Sequence, residues 1–208
     1  MKKFDKAFEE KLEQTIAVVE EKTSVEVVAA VTPNSDSYVD AYLKGGLILS
    51  IVMLLFLLYS PVFFSEILVP LDLAGAFVLG ILIVWLFPQI KRLLISNQRK
   101  EKYVKTAANS YFLENNLDET IERTAFLVYI SVFEGKYRLI ADKGILNALP
   151  AGAWKEIQIL FQKKFSKKIL PQTILETLPL VTQPFSQYLP PAEDNPDELS
   201  NRLRRVEW

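Results

Sequence analysis

The sequence predicts a mixed α/β fold: a small layered domain of helices and strands, opened in its middle by a transmembrane helical hairpin. Three observations predict it. Residues 47–64 carry no charge over a length that matches the hydrocarbon core of a bilayer, and a second apolar run, 73–90, follows after a short connection. Polar sequence with helical and strand-like periods lies on both sides of this pair. The 208 residues leave roughly 130 for one soluble domain beside the hairpin.

Residues 3–22 are expected to form a helix, because Phe4, Ala7, Phe8, Leu12, Ile16 and Val19 recur at steps of three and four between Glu and Lys. Ser24–Thr32 is rich in β-branched residues and fits a buried strand. Pro33-Asn34-Ser35-Asp36 is a turn, and Ser35 or Asp36 can cap the next helix. That helix holds Tyr38, Tyr42 and Leu43 and runs through Lys44-Gly45-Gly46 into the first span. Nothing before it has the apolar core and cleavage site of a signal peptide, so the hairpin is expected to be an internal anchor.

The connection 65–72 carries only Glu66 and Asp72 as charges. Lys44 precedes the first span, and Lys91, Arg92, Arg99, Lys100, Lys102 and Lys105 follow the second. Basic residues beside spans favour the cytoplasm. The expectation is an integral membrane protein of two spans with both termini cytoplasmic, as in a bacterial inner membrane. Trp85 suits an interfacial belt. Gly75-Ala76 and Gly80 give the second span a small-residue surface, for packing within the hairpin or between two copies.

Helical sequence continues over 91–117, with Tyr103, Ala107, Tyr111 and Phe112 on one side. It could extend the second span as one long rod, kinked at Pro88. Residues 124–133 and 136–141 read as strands joined by a two-residue Glu134-Gly135 turn, hence as antiparallel neighbours. Residues 151–167 form a helix whose apolar side includes Trp154, a core anchor, with Ile157, Leu160, Phe161 and Phe165. Residues 171–189 are helical, interrupted by Pro179 and Pro184, and 190–208 form an extended tail with room for one helical turn at 201–206. The chain divides into a first part of the domain (1–43), the hairpin (44–95), a second part (96–190) and the tail (191–208). The first strand must pair across the insertion, which a hairpin permits because it leaves and re-enters one membrane face.

The formal net charge of −1 offers no electrostatic case for nucleic acid. The absence of cysteine excludes disulfides and thiolate chemistry. The absence of histidine removes the usual base near neutral pH, the commonest zinc ligand, and any Ser-His or Cys-His pair. Acidic residues are the remaining ligands for a hard cation such as Ca2+ or Mg2+. Asp118, Glu119 and Glu122 precede the middle strand, while Glu134 and Asp142 bound strands. There is no calcium-loop spacing and no D-x-D cluster. Structural roles are therefore preferred, with Asp118 as a cap or turn residue and Glu134 as the polar tip of the hairpin. Arg123 could hold a phosphate or carboxylate, but a structural bridge to Glu134 or Asp142 is the favoured reading. Ser131 has no base to activate it. Lys155, Lys163, Lys164, Lys167 and Lys168 give the 151–168 helix a basic side. That side is either a solvated surface or a contact for anionic lipid, at roughly 1 kcal/mol per charge. Arg123, Lys163, Lys164 and Lys167 are thus the candidates for partner or anion contact.

Three segments resemble the TPM-domain family. The first is the opening helix followed by Glu20-Glu21-Lys22-Thr23-Ser24-Val25-Glu26-Val27-Val28. The second is Arg123-Thr124-Ala125-Phe126-Leu127-Val128-Tyr129-Ile130-Ser131-Val132-Phe133-Glu134, continuing through Lys136 to Asp142-Lys143-Gly144-Ile145. The third is Asp194-Asn195-Pro196-Asp197-Glu198-Leu199-Ser200-Asn201, similar to a tail found in membrane-inserted relatives. The resemblance implies an α/β/α sandwich around a small central sheet. Some members are described as acid phosphatases or calcium binders, others as modulators or assembly factors. The branch with phosphatase activity has an Asp-Asn-Gly-like turn where Glu122-Arg123-Thr124 stands here, which argues against an inherited metal site. The expected function is a membrane-anchored, non-enzymatic TPM-like module. It would bind a partner protein at the cytoplasmic face, in the assembly or maintenance of a membrane complex, without a resident cofactor. The alternatives are a divalent-metal-dependent, phosphatase-like hydrolase using Asp118, Glu122, Glu134 or Asp142, and a scaffold on anionic lipid using the lysine-rich helix.

Overall fold

The computed structural model describes residues 4–62, 64–165, 169–192 and 198–206. The chain forms two compact units, one of residues 1–35 with 101–208 and one of residues 36–100. The expected boundaries, at 44 and 95, lie inside the second of these.

In the first unit, α1 (Lys6–Glu20) begins where Asp5 accepts a hydrogen bond from the Phe8 N–H at 2.9 Å. Its apolar stripe of Phe8, Leu12, Ile16 and Val19 is buried. β1 (Glu26–Thr32) is buried at every position, as its run of apolar residues requires. β2 (Ala125–Ser131) pairs with it in parallel, Glu26 opposite Ala125 through Thr32 opposite Ser131. β3 (Lys136–Ala141) pairs antiparallel with β2. A four-residue loop, Val132 to Gly135, joins β2 to β3 in place of the two-residue turn, because β2 leaves the ladder at Ser131. β4 (Arg204–Arg205) adds parallel to β1, giving the order β3-β2-β1-β4.

The strand period of two sorts the core. Val27, Ala29 and Val31 with Phe126, Val128 and Ile130 face α1, α6 (Lys143–Ala148), α7 (Ala151–Lys164), α8 (Pro171–Thr177) and α9 (Thr182–Tyr188). Val28 and Ala30 with Leu127 and Tyr129 face α5 (Asn97–Glu114). Helices thus cover both faces of the sheet. Phe126 lies at the centre of the larger core, edge-on to Trp154, Phe161 and Phe185 at 6.2, 6.2 and 5.3 Å between ring centres.

Three further details of the first unit differ from the sequence reading. α6 was not anticipated, although Asp142 is its N-cap. The 171–189 segment is α8, a 3-10 turn at Leu178–Val181, and α9, since Pro179 and Pro184 lack the N–H groups that one continuous helix needs. The tail docks on the domain instead of trailing from it. Leu203 and Val206 are buried, and the Val206 N–H reaches the Val31 carbonyl at 2.9 Å. The Leu199 N–H donates to Glu26 at 3.1 Å, and the Ile121 N–H donates to Glu198 at 3.0 Å. The expected helical turn at 201–206 is extended chain, because its backbone continues the sheet. Residues 193–197, 207 and 208 lie outside the described residues.

In the second unit, α2 (Val39–Tyr59) and α3 (Val69–Leu86) are long and apolar enough to cross a membrane, each with mean hydropathy 2.2. α2 stops at Tyr59 and not at 64. Ser60 is forced into an extended conformation (ψ 137°) by Pro61. The expected rod from the second span is broken as well. Phe87 leaves the helix (φ −117°, ψ 90°) ahead of Pro88, a short α4 follows (Pro88–Leu93), and α5 begins at Asn97. α2 and α3 meet through glycine. A Cβ on Gly80 would stand 2.4 Å from the Gly45 carbonyl oxygen and 2.8 Å from the Gly46 Cα. Gly75 has no atom within 4 Å of such a Cβ. The small-residue surface therefore divides: Gly80 serves the hairpin and Gly75 does not.

Candidate functional site

The four carboxylates proposed as metal ligands do not converge. Asp118 lies in a 3-10 turn (Leu117–Glu119), Glu122 lies in the loop before β2, and Asp142 ends β3 opposite Ala125. Glu134 lies beyond the other end of β2, and a seven-residue strand separates the two ends by roughly 20 Å. Among the described residues no three His, Cys, Asp or Glu side chains are grouped to hold an ion.

Glu134 is not the solvated tip that its hairpin position suggests; it is 7% exposed. Its carboxylate accepts from the Ser35 N–H at 2.9 Å and from the Ser131 hydroxyl. It thereby ties the chain leaving β1 to the β2–β3 loop, and Ser131, fully buried, is a structural donor and not a nucleophile. Hydrogen bonds to a charged group contribute about 1.5–3 kcal/mol each. Glu134→Ala is therefore expected to destabilise the domain by about 2–4 kcal/mol in denaturant titration, and Glu134→Gln by distinctly less.

Asp142 is 6% exposed. One oxygen caps α6 by accepting from the Lys143 N–H at 2.7 Å, and the other is buried without a hydrogen-bond partner among the described residues. Gly144 completes this corner. The loop before β2 comes so close that a Cβ there would meet the Glu122 carbonyl oxygen at 2.2 Å. Arg123 is exposed and left-handed (φ 55°). It makes no ion pair among the described residues, so the expected bridge to Glu134 or Asp142 is not formed; Glu134 is at the far end of the sheet. Lys155, Lys163 and Lys164 are exposed on α7, and Lys167 and Lys168 lie outside the described residues.

Two arrangements went unseen in the sequence. The first lies in the second unit, where the outer ends of the hairpin are tied together. Lys91 donates to the Ser37 carbonyl at 2.8 Å and to the Tyr42 hydroxyl at 2.9 Å, and its ammonium stands 4.5 Å from the centre of the Tyr42 ring. Arg99 pairs with Asp40, which also meets Lys44 at 3.0 Å. Tyr38, wholly buried and left-handed (φ 52°), lies beneath these cations. Lys44, Lys91 and Arg99 were legible only as signs of topology. The partner of Lys44 is one helical turn away, whereas those of Lys91 and Arg99 lie 49 to 59 positions along the chain, too far for spacing to reveal.

The second is a cleft of ≈ 620 Å³ along the free edge of β3, within the first unit. α5 supplies Glu101, Val104 and Lys105 to one wall, and α7 supplies Gln158 and Gln162 to the other, with Phe165 just beyond it. The floor is Lys136 to Leu139. Tyr137 packs edge-on to Phe165 at 4.9 Å, and burial pushes its phenol pKa up. A sequence signal for the edge was present. β3 alternates Lys136 and Arg138 with Tyr137 and Leu139, whereas β2 holds no charge at all.

No protein-family model matches the chain, and no curated protein matches it in sequence. Among solved structures, the chain is similar to the BA42 protein of the psychrophilic bacterium Bizionia argentinensis, known by NMR. The TM-score is 0.58 at 16% identity, covering 97% of this chain and 94% of that one. At that identity the likeness is one of fold: a mixed α/β domain with a four-stranded sheet.

Proposed function

We propose that this chain is a membrane-anchored adaptor: a TPM-like α/β/α domain that binds a partner protein at the cytoplasmic face of a bacterial inner membrane, without catalysis. The observation that carries the anchor is the apolar surface of the hairpin. Leu58, Leu71 and Trp85 are 68%, 68% and 66% exposed, and Leu47, Val52, Phe56, Val78 and Leu79 are more than half exposed beside them. An apolar face of this extent has to be covered, and each large side chain moved from water into hydrocarbon contributes about 1.5–3 kcal/mol. The tie between Lys91, Tyr42, Arg99 and Asp40 supports an exit of both helix ends on one side. The scattered carboxylates and the buried, engaged Glu134 favour binding over metal chemistry. The open edge of β3 supplies a surface for a protein partner.

Topology is directly testable because the chain has no cysteine. Ser65→Cys, in the connection, is expected to react with a membrane-impermeant maleimide on intact cells. Ser37→Cys and Glu114→Cys are expected to react only after lysis. Equal labelling of all three in intact cells, or release of the protein by alkaline carbonate, would overturn the anchored reading.

A further inference from the structure

Which residues of β3 remain unpaired follows from the ladder. The Asp142 N–H donates to the Ala125 carbonyl at 3.0 Å, so that pair is a hydrogen-bonded one. In an antiparallel ladder such pairs alternate with non-bonded ones. Arg138 opposite Tyr129 and Lys136 opposite Ser131 are therefore bonded pairs, and their backbone groups are used. Tyr137 and Leu139 direct N–H and C=O outward, into the cleft. Helices α5 and α7 stand on either side of this edge, so an added strand would enter between two walls and not onto an open flank. The volume is within the range of ligand clefts.

The charge around the edge selects the occupant. Lys105, Lys136 and Arg138 line the cleft against one acid, Glu101, and none of the three cations forms an ion pair among the described residues. Lysine and arginine on an edge repel a basic strand and deter pairing between identical edges. An acidic strand meets the opposite condition. We infer that β3 is a docking edge for an extended acidic segment of a partner protein, which adds as a fifth strand through the backbone of Tyr137 and Leu139 and through salt bridges to Lys105, Lys136 and Arg138. This rests on the partner-binding reading above and names the chemistry of the partner.

The probe is an acetylated hexapeptide of alternating Glu and Val, compared with its Lys-Val counterpart, titrated into the full chain in detergent micelles. The acidic peptide is expected to bind at least tenfold more tightly. Amide exchange at Tyr137 and Leu139 should slow, with no change at Lys136 and Arg138. Lys136→Glu with Arg138→Glu should weaken binding at least tenfold, and so should Lys105→Glu, which lies on α5 and leaves the sheet untouched. No binding at millimolar peptide overturns the edge site, as does binding that ignores these variants or leaves Tyr137 and Leu139 unprotected. Protection of the two amides that rises with protein concentration, without peptide, also overturns it, because a second copy would then hold the edge. The broader reading has its own readout. Photocrosslinks formed in membranes only from surfaces away from β3 remove the edge site alone, and none from any surface of the first unit removes partner binding as well.

Discussion

Gly80→Ile is expected to open the helical hairpin. The Cβ alone would stand 2.4 Å from the Gly45 carbonyl oxygen and 2.8 Å from the Gly46 Cα. Both are backbone atoms of the facing helix, so no rotamer change relieves the clash, and α2 and α3 must separate. Overpacking typically costs about 1–3 kcal/mol, and contact with backbone places this variant at the upper end. About 3 kcal/mol shifts the ratio of packed to splayed hairpins by roughly a hundredfold. The Ser50 hydroxyl meets the Leu73 carbonyl across the pair at 3.1 Å, which identifies a reporter position. Ser50→Cys with Leu73→Cys, treated with a short bifunctional thiol reagent, should crosslink efficiently in the parent chain and scarcely in the Gly80→Ile background. Gly75→Ala is the control, because its Cβ meets nothing within 4 Å and crosslinking should persist. If Gly80→Ile crosslinks as well as the parent, the two helices do not pack through this glycine.

Phe126→Ala is expected to be the most damaging single change in the first unit. The side chain is wholly buried and stands edge-on to three other rings, from α7 and α9. Truncating a buried phenylalanine costs about 3–5 kcal/mol, part of it for the cavity left behind. For a chain of this size that corresponds to a fall in Tm on the order of 10 °C. Phe126→Leu, which keeps most of the volume, should lose less than half as much. Both are read by thermal unfolding in detergent, followed through near-ultraviolet dichroism of the aromatic cluster. Equal losses for the two variants would show that the site tolerates collapse and that Phe126 is not the centre of the core.

What could be read from the sequence was what neighbouring residues decide. β1 and β2 are runs of apolar, β-branched and aromatic residues that have few alternatives as buried strands. α1 and α5 show an apolar period of three and four, and the two long apolar helices are recognisable by length and composition. What could not be read was decided by contacts far along the chain. β4 is two arginines without any strand pattern; it pairs because Leu203 and Val206 on either side are buried. An acid at a hairpin tip is ordinarily in water, and the burial of Glu134 depends in part on Ser35, ninety-nine positions earlier, which supplies an N–H to it. The split of 171–189 into three short pieces was foreshadowed by its prolines, but where each piece begins was not.

The parallel pairing of β1 with β2 across the hairpin also orders the events of biogenesis. β1 leaves the ribosome by Thr32, and its partner strand begins at Ala125, after both apolar helices. At a synthesis rate of about 5–20 residues per second, the interval is on the order of 5–20 s. During that time a strand destined for burial on both faces has nothing to pair with, while the apolar helices are already available to the insertion machinery. On the anchored reading proposed above, insertion precedes sheet formation. On that reading, a nascent chain halted between the second apolar helix and β2 would be anchored yet unfolded, exposing β1 to proteases and chaperones at the membrane surface.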